Sequence, residues 1–316
     1  MTDTQIVHNY RLDRESIYEL CHELEAELAR PTRRVHALPV SLQVMIALRY
    51  FASGSYMNVI GDAHGVSKLS VSRSIHSVAK NIAKNIGLYI QVPMTNTERH
   101  SVMFNFYDIK EFPLVLGAAD GTLIPIKAPS VDEHLYVCRK GWHALNVQGV
   151  CDANNLFTNI VAHYAGSTHD AHIWNNCKLS EAFESGVIKN GWLLGDSGYG
   201  LKPWLLTPVL NSSIAAERKY NKAHKSTRCV IERTFGIWKM RFRCIYRGLT
   251  FTPKRSQYIV LATAGLHSKC VRKRLSLPDD YDMQDDDNED NVGGQIDTEN
   301  GRRIRQEVIE TIFGEV

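Results

Sequence analysis

Three acidic residues occupy positions that suit divalent-metal chemistry. Asp120 follows the apolar run 112–118, Asp196 follows the apolar run 192–194, and Glu232 lies further on in IERTFGIWKMRF, which reads as a helix. Two Mg²⁺ ions need oxygen ligands from several elements, because one carboxylate cannot hold both an attacking and a leaving oxygen in line. The three acids therefore predict a metal-binding set contributed by two strand ends and one helix.

Each acid also has a simpler interpretation. A Glu on a basic helix is more often a solvated ion-pair partner than a ligand. Asp120 with Gly121 can be simply a turn pair. A further acid, Asp170, lies at the expected start of a helix and can be a first-turn acid stabilised by the helix dipole. For Asp170 the two interpretations stay open on physical grounds, whereas the co-occurrence of the other three favours metal binding.

Four motifs, in order along the chain, carry a resemblance to a known family. They are AADGTLIPI with Asp120, GSTHDAHIW with Asp170, GDSGYGLKPWLLTP with Asp196 and IERTFGIWKMRFRC with Glu232. Together they resemble the DDE endonuclease of PIF/Harbinger transposases, and more closely the Harbinger transposase-derived nucleases of animals. The resemblance implies an α/β, ribonuclease-H-like catalytic domain, with a central mixed sheet flanked by helices. It also implies a divalent cation cofactor, two Mg²⁺ or Mn²⁺ ions, held by the four acids.

The net charge of +3 hides an uneven distribution. Residues 279–290 contain eight acids and no Lys or Arg, whereas residues 217–274 contain sixteen Lys and Arg and two acids. Such a basic segment beside candidate metal ligands favours polyanion binding, although a solvated basic surface is the alternative. We expect a long helix over 221–247 whose basic residues contact DNA phosphates, namely Arg228, Arg233, Lys239, Arg241 and Arg243.

A second pattern, SGSYMNVIGDAHGVSKLSVSRSIHSVAKNI, predicts a helix-turn-helix. Ser55 can cap one helix, Gly65 allows the turn, and Ser67 can cap the next. The second helix has Leu69, Val71 or Ile75, Val78 and Ile82 at inward-facing positions. Its early residues would then enter the major groove of DNA, namely Lys68, Ser70, Ser72 and Arg73. A helical hairpin that only packs on the catalytic part is the alternative.

We expect three regions in the chain. Residues 1–100 form an all-α domain with the helix-turn-helix at about 41–85, residues 101–275 form the endonuclease domain, and residues 276–316 form an acidic, largely disordered tail with a short terminal helix. The first domain opens with an amphipathic helix over 13–28 whose outer side is acidic. The seven cysteines lack a CxxC pair, which indicates reduced thiols.

The sequence thus predicts a nuclear DNA endonuclease, found also in the cytoplasm, without a membrane span. Double-stranded DNA, a second copy of the chain in a homodimer and, from the resemblance, a Myb-like DNA-binding protein are the expected partners. The competing interpretation is a catalytically dormant DNA-binding protein that acts through partners. A nuclease that acts on RNA is a third, because the fold alone does not select the substrate.

Overall fold

The computed structural model describes residues 1–29, 37–277 and 297–314. Its helices are α1 (Asp3–Tyr10), α2 (Arg14–Glu23), α3 (Glu25–Leu28), α4 (Val40–Ser53), α5 (Met57–His64), α6 (Lys68–Lys84), α7 (Asn96–Lys110), α8 (Glu133–Tyr136), α9 (Asp170–Asn175), α10 (Lys178–Glu184), α11 (Ala215–Arg241), α12 (Arg243–Arg247), α13 (Pro253–Arg272) and α14 (Glu299–Val308). Its strands are β1 (Val115–Pro125), β2 (Ala144–Cys151), β3 (Phe157–Ala165), β4 (Trp192–Leu194) and β5 (Leu205–Leu206). A 3-10 turn, Ile86–Leu88, follows α6, and a π-helical turn, Ile309–Phe313, follows α14.

The chain divides into two compact units, each built from separated segments. The first unit takes the described parts of residues 1–90, 123–145 and 236–284. The second takes the described parts of residues 91–122, 146–235 and 285–316. Of the expected acidic tail, residues 278–296 lie outside the described part of the chain.

The first unit is helical around α6, which packs against α4 and α13. Four apolar residues at helical spacing give α6 its buried face, namely Val71, Ile75, Val78 and Ile82. Leu69 had been expected on the same face, but it is 58% exposed. The expectation was wrong because a step of two residues, from Leu69 to Val71, turns a helix through more than half a circle.

Residues of α13 cover the acidic side of α2. Lys269 lies 3.0 Å from Glu19, and Lys273 lies 2.8 Å from the other oxygen of the same carboxylate. Lys269 also pairs with Glu23 at 3.1 Å. The predicted acidic side of α2 therefore takes part in an interhelical ion-pair network with two basic residues near the end of α13.

Two helices joined by a short turn follow α4. The turn needs Gly65, whose φ of 66° lies in the left-handed region that glycine adopts at no steric cost. Ser67 caps α6, because its side chain accepts a hydrogen bond from the backbone N–H of Ser70. The first of these helices starts at Met57. Its N-cap residue is Tyr56, whose side chain makes no capping hydrogen bond, so the prediction that Ser55 caps this helix was wrong.

The second unit contains a mixed sheet with strand order β3-β2-β1-β4-β5. β1 runs parallel to β4, and β4 runs parallel to β5. Asp152 closes the connection between β2 and β3, since its Oδ1 accepts hydrogen bonds from the N–H groups of Asn154 and Leu156. The predicted α/β class, a mixed sheet flanked by helices, is confirmed.

One face of this sheet packs on α9 and α10 through a cluster of buried apolar residues that includes Leu116, Val150, Trp174, Phe183 and Leu193. The helix that was expected to start at Asp170 is short. The structure breaks it at Cys177, whose extended backbone and Sγ atom cap the second helix. All seven cysteines are free thiols, as predicted, and no helix in the described ranges is long and apolar enough to cross a membrane.

Candidate active site

Asp120 lies in β1, the central strand of the sheet. Its neighbours Ala118 and Ala119 are buried, and Asp120 itself is only 4% exposed. Its Oδ1 accepts a hydrogen bond from the N–H of Gly121 at 2.8 Å. A carboxylate at this depth must be paired or protonated, because burial of an isolated charge is costly.

The register of the sheet brings Asp196 to the same place. Ala118 pairs with Leu194 in the parallel ladder between β1 and β4, and each acid follows its paired residue by the same number of positions. Residues at equivalent distances from a paired position lie beside each other in neighbouring strands. The Oδ1 of Asp196 accepts a hydrogen bond from the N–H of Gly198 at 3.0 Å, which orients the carboxylate within its loop.

Asp170, the first residue of α9, approaches β1 at Gly121. A Cβ atom at Gly121 would overlap both carboxylate oxygens of Asp170, so this position must be glycine for the two elements to meet. Asn146 of β2 fixes the carboxylate from the other side, since its Nδ2 donates to Oδ1 of Asp170 at 2.8 Å and to the carbonyl of Thr168 at 2.7 Å. None of the sequence motifs includes Asn146, and its only signal is a polar residue within the mostly apolar stretch ALNVQGVC.

Glu232 joins the site through Arg228, one turn earlier on α11. The guanidinium of Arg228 donates to Oδ2 of Asp120 at 2.8 Å and lies 2.6 Å from Oε1 of Glu232. Arg228 is 9% exposed at its side chain, whereas Glu232 is 36% exposed. One buried cation thus spans an acid of the sheet and an acid of the helix.

The aspartates influence one another electrostatically. The pKa of Asp120 is raised to about 8, mainly by burial; the negative charges of Asp196 and Asp170 add to the rise, and Arg228 and the N–H of Gly121 oppose it. Burial also raises the pKa of Tyr199, and the same three aspartates contribute to that rise. The Tyr199 hydroxyl has no hydrogen-bond partner among the described residues. The sequence motifs did not point to Tyr199. The feature that could have done so is an aromatic residue within the glycine-rich loop GDSGYG, which also contains Asp196.

The donors at this site suit a hard divalent cation, since every candidate ligand is a carboxylate oxygen. Repulsion among three neighbouring aspartates also favours a bound cation. Within residues 1–29, 37–277 and 297–314, no group of three or more His, Cys, Asp or Glu side chains has the spacing of a metal-binding cluster. By donor type and electrostatics the residues fit a cation, and Arg228 supplies positive charge between Asp120 and Glu232.

The basic residues that were expected to contact DNA lie in different environments. On α11 and just after it, Arg228, Lys239 and Arg241 are buried, Arg233 is exposed and Arg243 is half-buried. Arg241 donates to the carbonyls of Leu275 and Ser276 in the first unit, at 3.1 Å each. On α6, Lys68 and Arg73 are exposed and Ser70 and Ser72 are half-buried.

Comparison with known proteins identifies the relatives of this chain. The family model described as "DDE superfamily endonuclease" matches residues 119–268, the range that holds Asp120, Asp170, Asp196 and Glu232. The mouse protein named "Putative nuclease HARBI1" is 36% identical over 99% of this chain and 91% of its own length. The human protein of the same name is 34% identical over the same shares of the two chains.

A plant protein is a more distant relative. "Protein ALP1-like" of Arabidopsis thaliana is 25% identical over 87% of this chain and 72% of its own length. No solved structure matches the chain. The similarity to the animal proteins extends over nearly the full length of this chain and of each relative, so it continues beyond the residues that the endonuclease model matches. The chain therefore belongs to the Harbinger transposase-derived nuclease family, and it contains a DDE superfamily endonuclease domain.

Proposed function

We propose that this protein is a divalent-metal-dependent DNA endonuclease that breaks phosphodiester bonds by hydrolysis, or by strand transfer to a 3′-hydroxyl. The observation that carries the proposal is the convergence of Asp120, Asp170 and Asp196 around the middle of the central strand β1, with Glu232 connected to them through Arg228. A ribonuclease-H-like interpretation of the sheet follows from the family and agrees with this placement.

The residues of the chain have distinct parts in this chemistry. Asp120, Asp170 and Asp196 would hold the cation, and Glu232 would complete the set when Arg228 releases it. A bound divalent cation supplies Lewis acidity toward the attacking and leaving oxygens of a phosphodiester. Asn146 holds the carboxylate of Asp170 in place, and the N–H of Gly198 does the same for Asp196. These contacts preorganise the oxygens before the substrate arrives.

The exposed face of α11 supports a nucleic-acid substrate. Arg218, Lys222 and Lys225 are exposed and follow one another at helical spacing, and the exposed Arg233 further along α11 adjoins Glu232. Cations in a line of this kind can follow a phosphate backbone toward the acids. These residues replace the buried Arg228, Lys239 and Arg241 in the proposed DNA surface. Lys222→Ala should weaken duplex binding and reduce its salt dependence, which a titration at several ionic strengths measures.

The α5–α6 pair supports double-stranded DNA over RNA. Gly65 makes the turn, and α6 presents Lys68 and Arg73 in its first turns beside the half-buried Ser70 and Ser72. That is the position from which a helix-turn-helix reads the major groove. A Myb-like partner protein, a homodimer and a nuclear location belong to the same proposal, and they rest on the family resemblance. The basic run 269–274 is a weak import signal, since Lys269 and Lys273 are paired with α2.

One observation favours a second candidate, a catalytically dormant DNA-binding protein. Arg228 already satisfies Asp120 and Glu232 with a covalently attached positive charge. A chain in which this ion pair persists would retain the fold and the basic surface without binding a cation at Glu232. The two candidates differ in one measurable property, which is cleavage in the presence of Mg²⁺ or Mn²⁺.

A nicking assay on supercoiled plasmid decides between them. We expect cleavage with Mg²⁺ or Mn²⁺ and none with a chelator. Asp120→Asn, Asp170→Asn, Asp196→Asn and Glu232→Gln should each remove it, whereas Asp108→Asn, at an exposed position on α7 of the same unit, should cleave like the parent. The same assay on matched DNA, RNA and hybrid duplexes identifies the substrate class. Equal cleavage by the parent and the four variants would refute the assignment.

A further inference from the structure

The C-terminal segment 297–313 lies on the second unit, where it contacts the loop that follows Asp196. The Oδ1 of Asp297 accepts a hydrogen bond from the N–H of Leu201 at 3.2 Å. The N–H of Thr298 donates to the carbonyl of Leu201 at 3.0 Å, and the Thr298 hydroxyl donates to the same carbonyl at 3.1 Å. Both backbone groups of one loop residue are therefore satisfied by the far end of the chain.

The approach at this point is close. A Cβ atom on Gly301, in the first turn of α14, would lie 3.0 Å from the carbonyl oxygen of Leu201 and 3.1 Å from its carbonyl carbon. A side chain at this position would force the helix and the loop apart by a few tenths of an ångström. The contact is thus specific to the backbone of Leu201.

The same segment reaches two further elements of the second unit. Arg305 donates to the carbonyls of Thr207 and Pro208, just after β5, at 3.3 and 3.0 Å. The ring of Phe313 lies 5.6 Å from that of Phe112, which precedes β1, and 5.8 Å from that of Tyr220 on α11. Val308 and Ile309 are buried between these contacts.

These contacts connect the elements that carry the acids. The loop after β4 carries Asp196 and Tyr199, the strand that follows Phe112 carries Asp120, and the helix that contains Tyr220 carries Arg228 and Glu232. Because β5 is only two residues long, the sheet itself pairs little of this segment, and turns within the loop supply other hydrogen bonds, such as that from the N–H of Tyr199 to the carbonyl of Asp196. Fixing such a loop at Leu201 limits the positions that the Asp196 carboxylate can occupy.

We propose that residues 297–313 form a strap that positions the Asp196 loop relative to Asp120 and Glu232, with Asp297, Thr298 and Arg305 as its positioning residues. The inference rests on the proposed function for its catalytic consequence, but the mechanical part stands on the contacts alone. The strap contributes no ligand. It acts through the loop, so that its loss lowers cation affinity and cleavage while the acids stay in the chain.

Hydrogen exchange of the full-length protein tests the strap directly. In Asp297→Ala/Thr298→Ala, we expect the amide of Leu201 and its neighbours in 197–206 to exchange at least about tenfold faster, while the amides of α6 are unchanged. Asp297→Asn, which keeps the accepting oxygen, should restore the protection of the Leu201 amide. Unchanged exchange in 197–206 of the double variant would overturn the proposal.

The matched comparison for the helix is Arg305→Ala against Arg303→Ala. Arg303 pairs only with Glu307 and Asn300 of its own helix in the contacts described, so its loss should leave the loop and Mn²⁺ binding as they are. Arg305→Ala should weaken Mn²⁺ binding, measured by calorimetry, by about tenfold, and Arg305→Lys should recover part of it. If the parent binds no Mn²⁺, the proposed nuclease function fails, whereas the exchange result still decides the strap. Equal Mn²⁺ affinity in both alanine variants and the parent would refute the link between strap and site.

Discussion

The guanidinium of Arg228 donates a 2.8 Å hydrogen bond to Oδ2 of Asp120, in the interior of the second unit. Both side chains are less than a tenth exposed. A buried pair of this kind is strongly destabilised when one partner is removed, because the remaining charge has nothing to balance it. Arg228 therefore stabilises the buried Asp120, even though it also forms an ion pair with the half-buried Glu232.

We predict that Arg228→Met lowers the free energy of unfolding by about 3 to 5 kcal/mol above the pKa of Asp120, where that carboxyl is ionised. Asp120→Asn in the same chain should recover most of the loss, since no buried charge then remains unpaired. Urea unfolding of the parent, the two single variants and the double variant gives the coupling energy. Arg233→Met, on the exposed face of the same helix, serves as the control. Additive effects of the two substitutions would contradict the pairing.

The raised pKa of Asp120 predicts how stability depends on pH. Between the ordinary value of 3.8 and the folded value of about 8, the folded protein binds this proton more strongly than the unfolded chain does. Its contribution to the free energy of unfolding therefore falls as pH rises through this window, by on the order of 1 kcal/mol per pH unit. Asp120→Asn should remove this slope. Denaturation of the parent and of Asp120→Asn at about pH 5, 7 and 9 gives the free energy of unfolding at each pH. If this free energy changes with pH in the same way in both proteins, the pKa of Asp120 is not raised.

His224 should act with the opposite sign. Burial lowers its pKa to about 4, and its Nε2 donates to the carbonyl of Leu206 at 3.0 Å. Between the ordinary 6.5 and about 4, the unfolded chain binds this proton more strongly, so stability is lost as pH falls through the window. His224→Gln keeps a donor for Leu206 and does not titrate. Its thermal midpoint should thus decrease less than that of the parent between about pH 7 and pH 5. An equal decrease in both would mean that other groups control acid unfolding.

The exposed start of α6 gives a prediction about DNA. Lys68→Ala and Arg73→Ala should each weaken duplex binding, and each should reduce the slope of log affinity against log salt by about 1 if the side chain contacts a phosphate. A change of base preference instead would indicate contact with base edges. Lys80→Ala, exposed further along the same helix, is the comparison variant. Binding isotherms of all four proteins over a salt series make the measurement, and identical curves would make the α5–α6 pair a structural hairpin.

Much of the fold could be predicted because the spacing of apolar residues along a helix or strand indicates which of its faces is buried. The apolar spacing of Val71, Ile75, Val78 and Ile82 predicted the inner face of α6. Arg228 shows where this reasoning stopped. It lies one turn before Ile231, on the same buried face of α11, but charge alone had placed it on the DNA surface. The helical spacing alone would have placed Arg228 on the buried face. An Arg is rarely buried unless an acid pairs with it, so the spacing also predicts an acidic partner.

The site could be predicted only in part. The motifs identified the four acids, and the parallel register that aligns Asp120 with Asp196 follows from strands whose order the sequence does not state. The contacts of Asn146 with Asp170, and of Asp297 with Leu201, join residues far apart in the chain. Local propensity carries no information on such pairings, because they depend on tertiary packing. The division of the chain at residues 100 and 275 also stays a prediction, since each compact unit draws on three separated segments.

Those separated segments set an order of events during protein synthesis. By the time the ribosome has added α11, all four acids are in the nascent chain, yet residues 297–313 are still to be translated. Contacts between distant segments form late and slowly, because the intervening chain must close first. If the strap positions the Asp196 loop, the proposed endonuclease site becomes competent only after residues 297–313 leave the ribosome. A messenger RNA whose reading frame stopped after α11 and before residue 297 would then encode all four acids in an inactive nuclease.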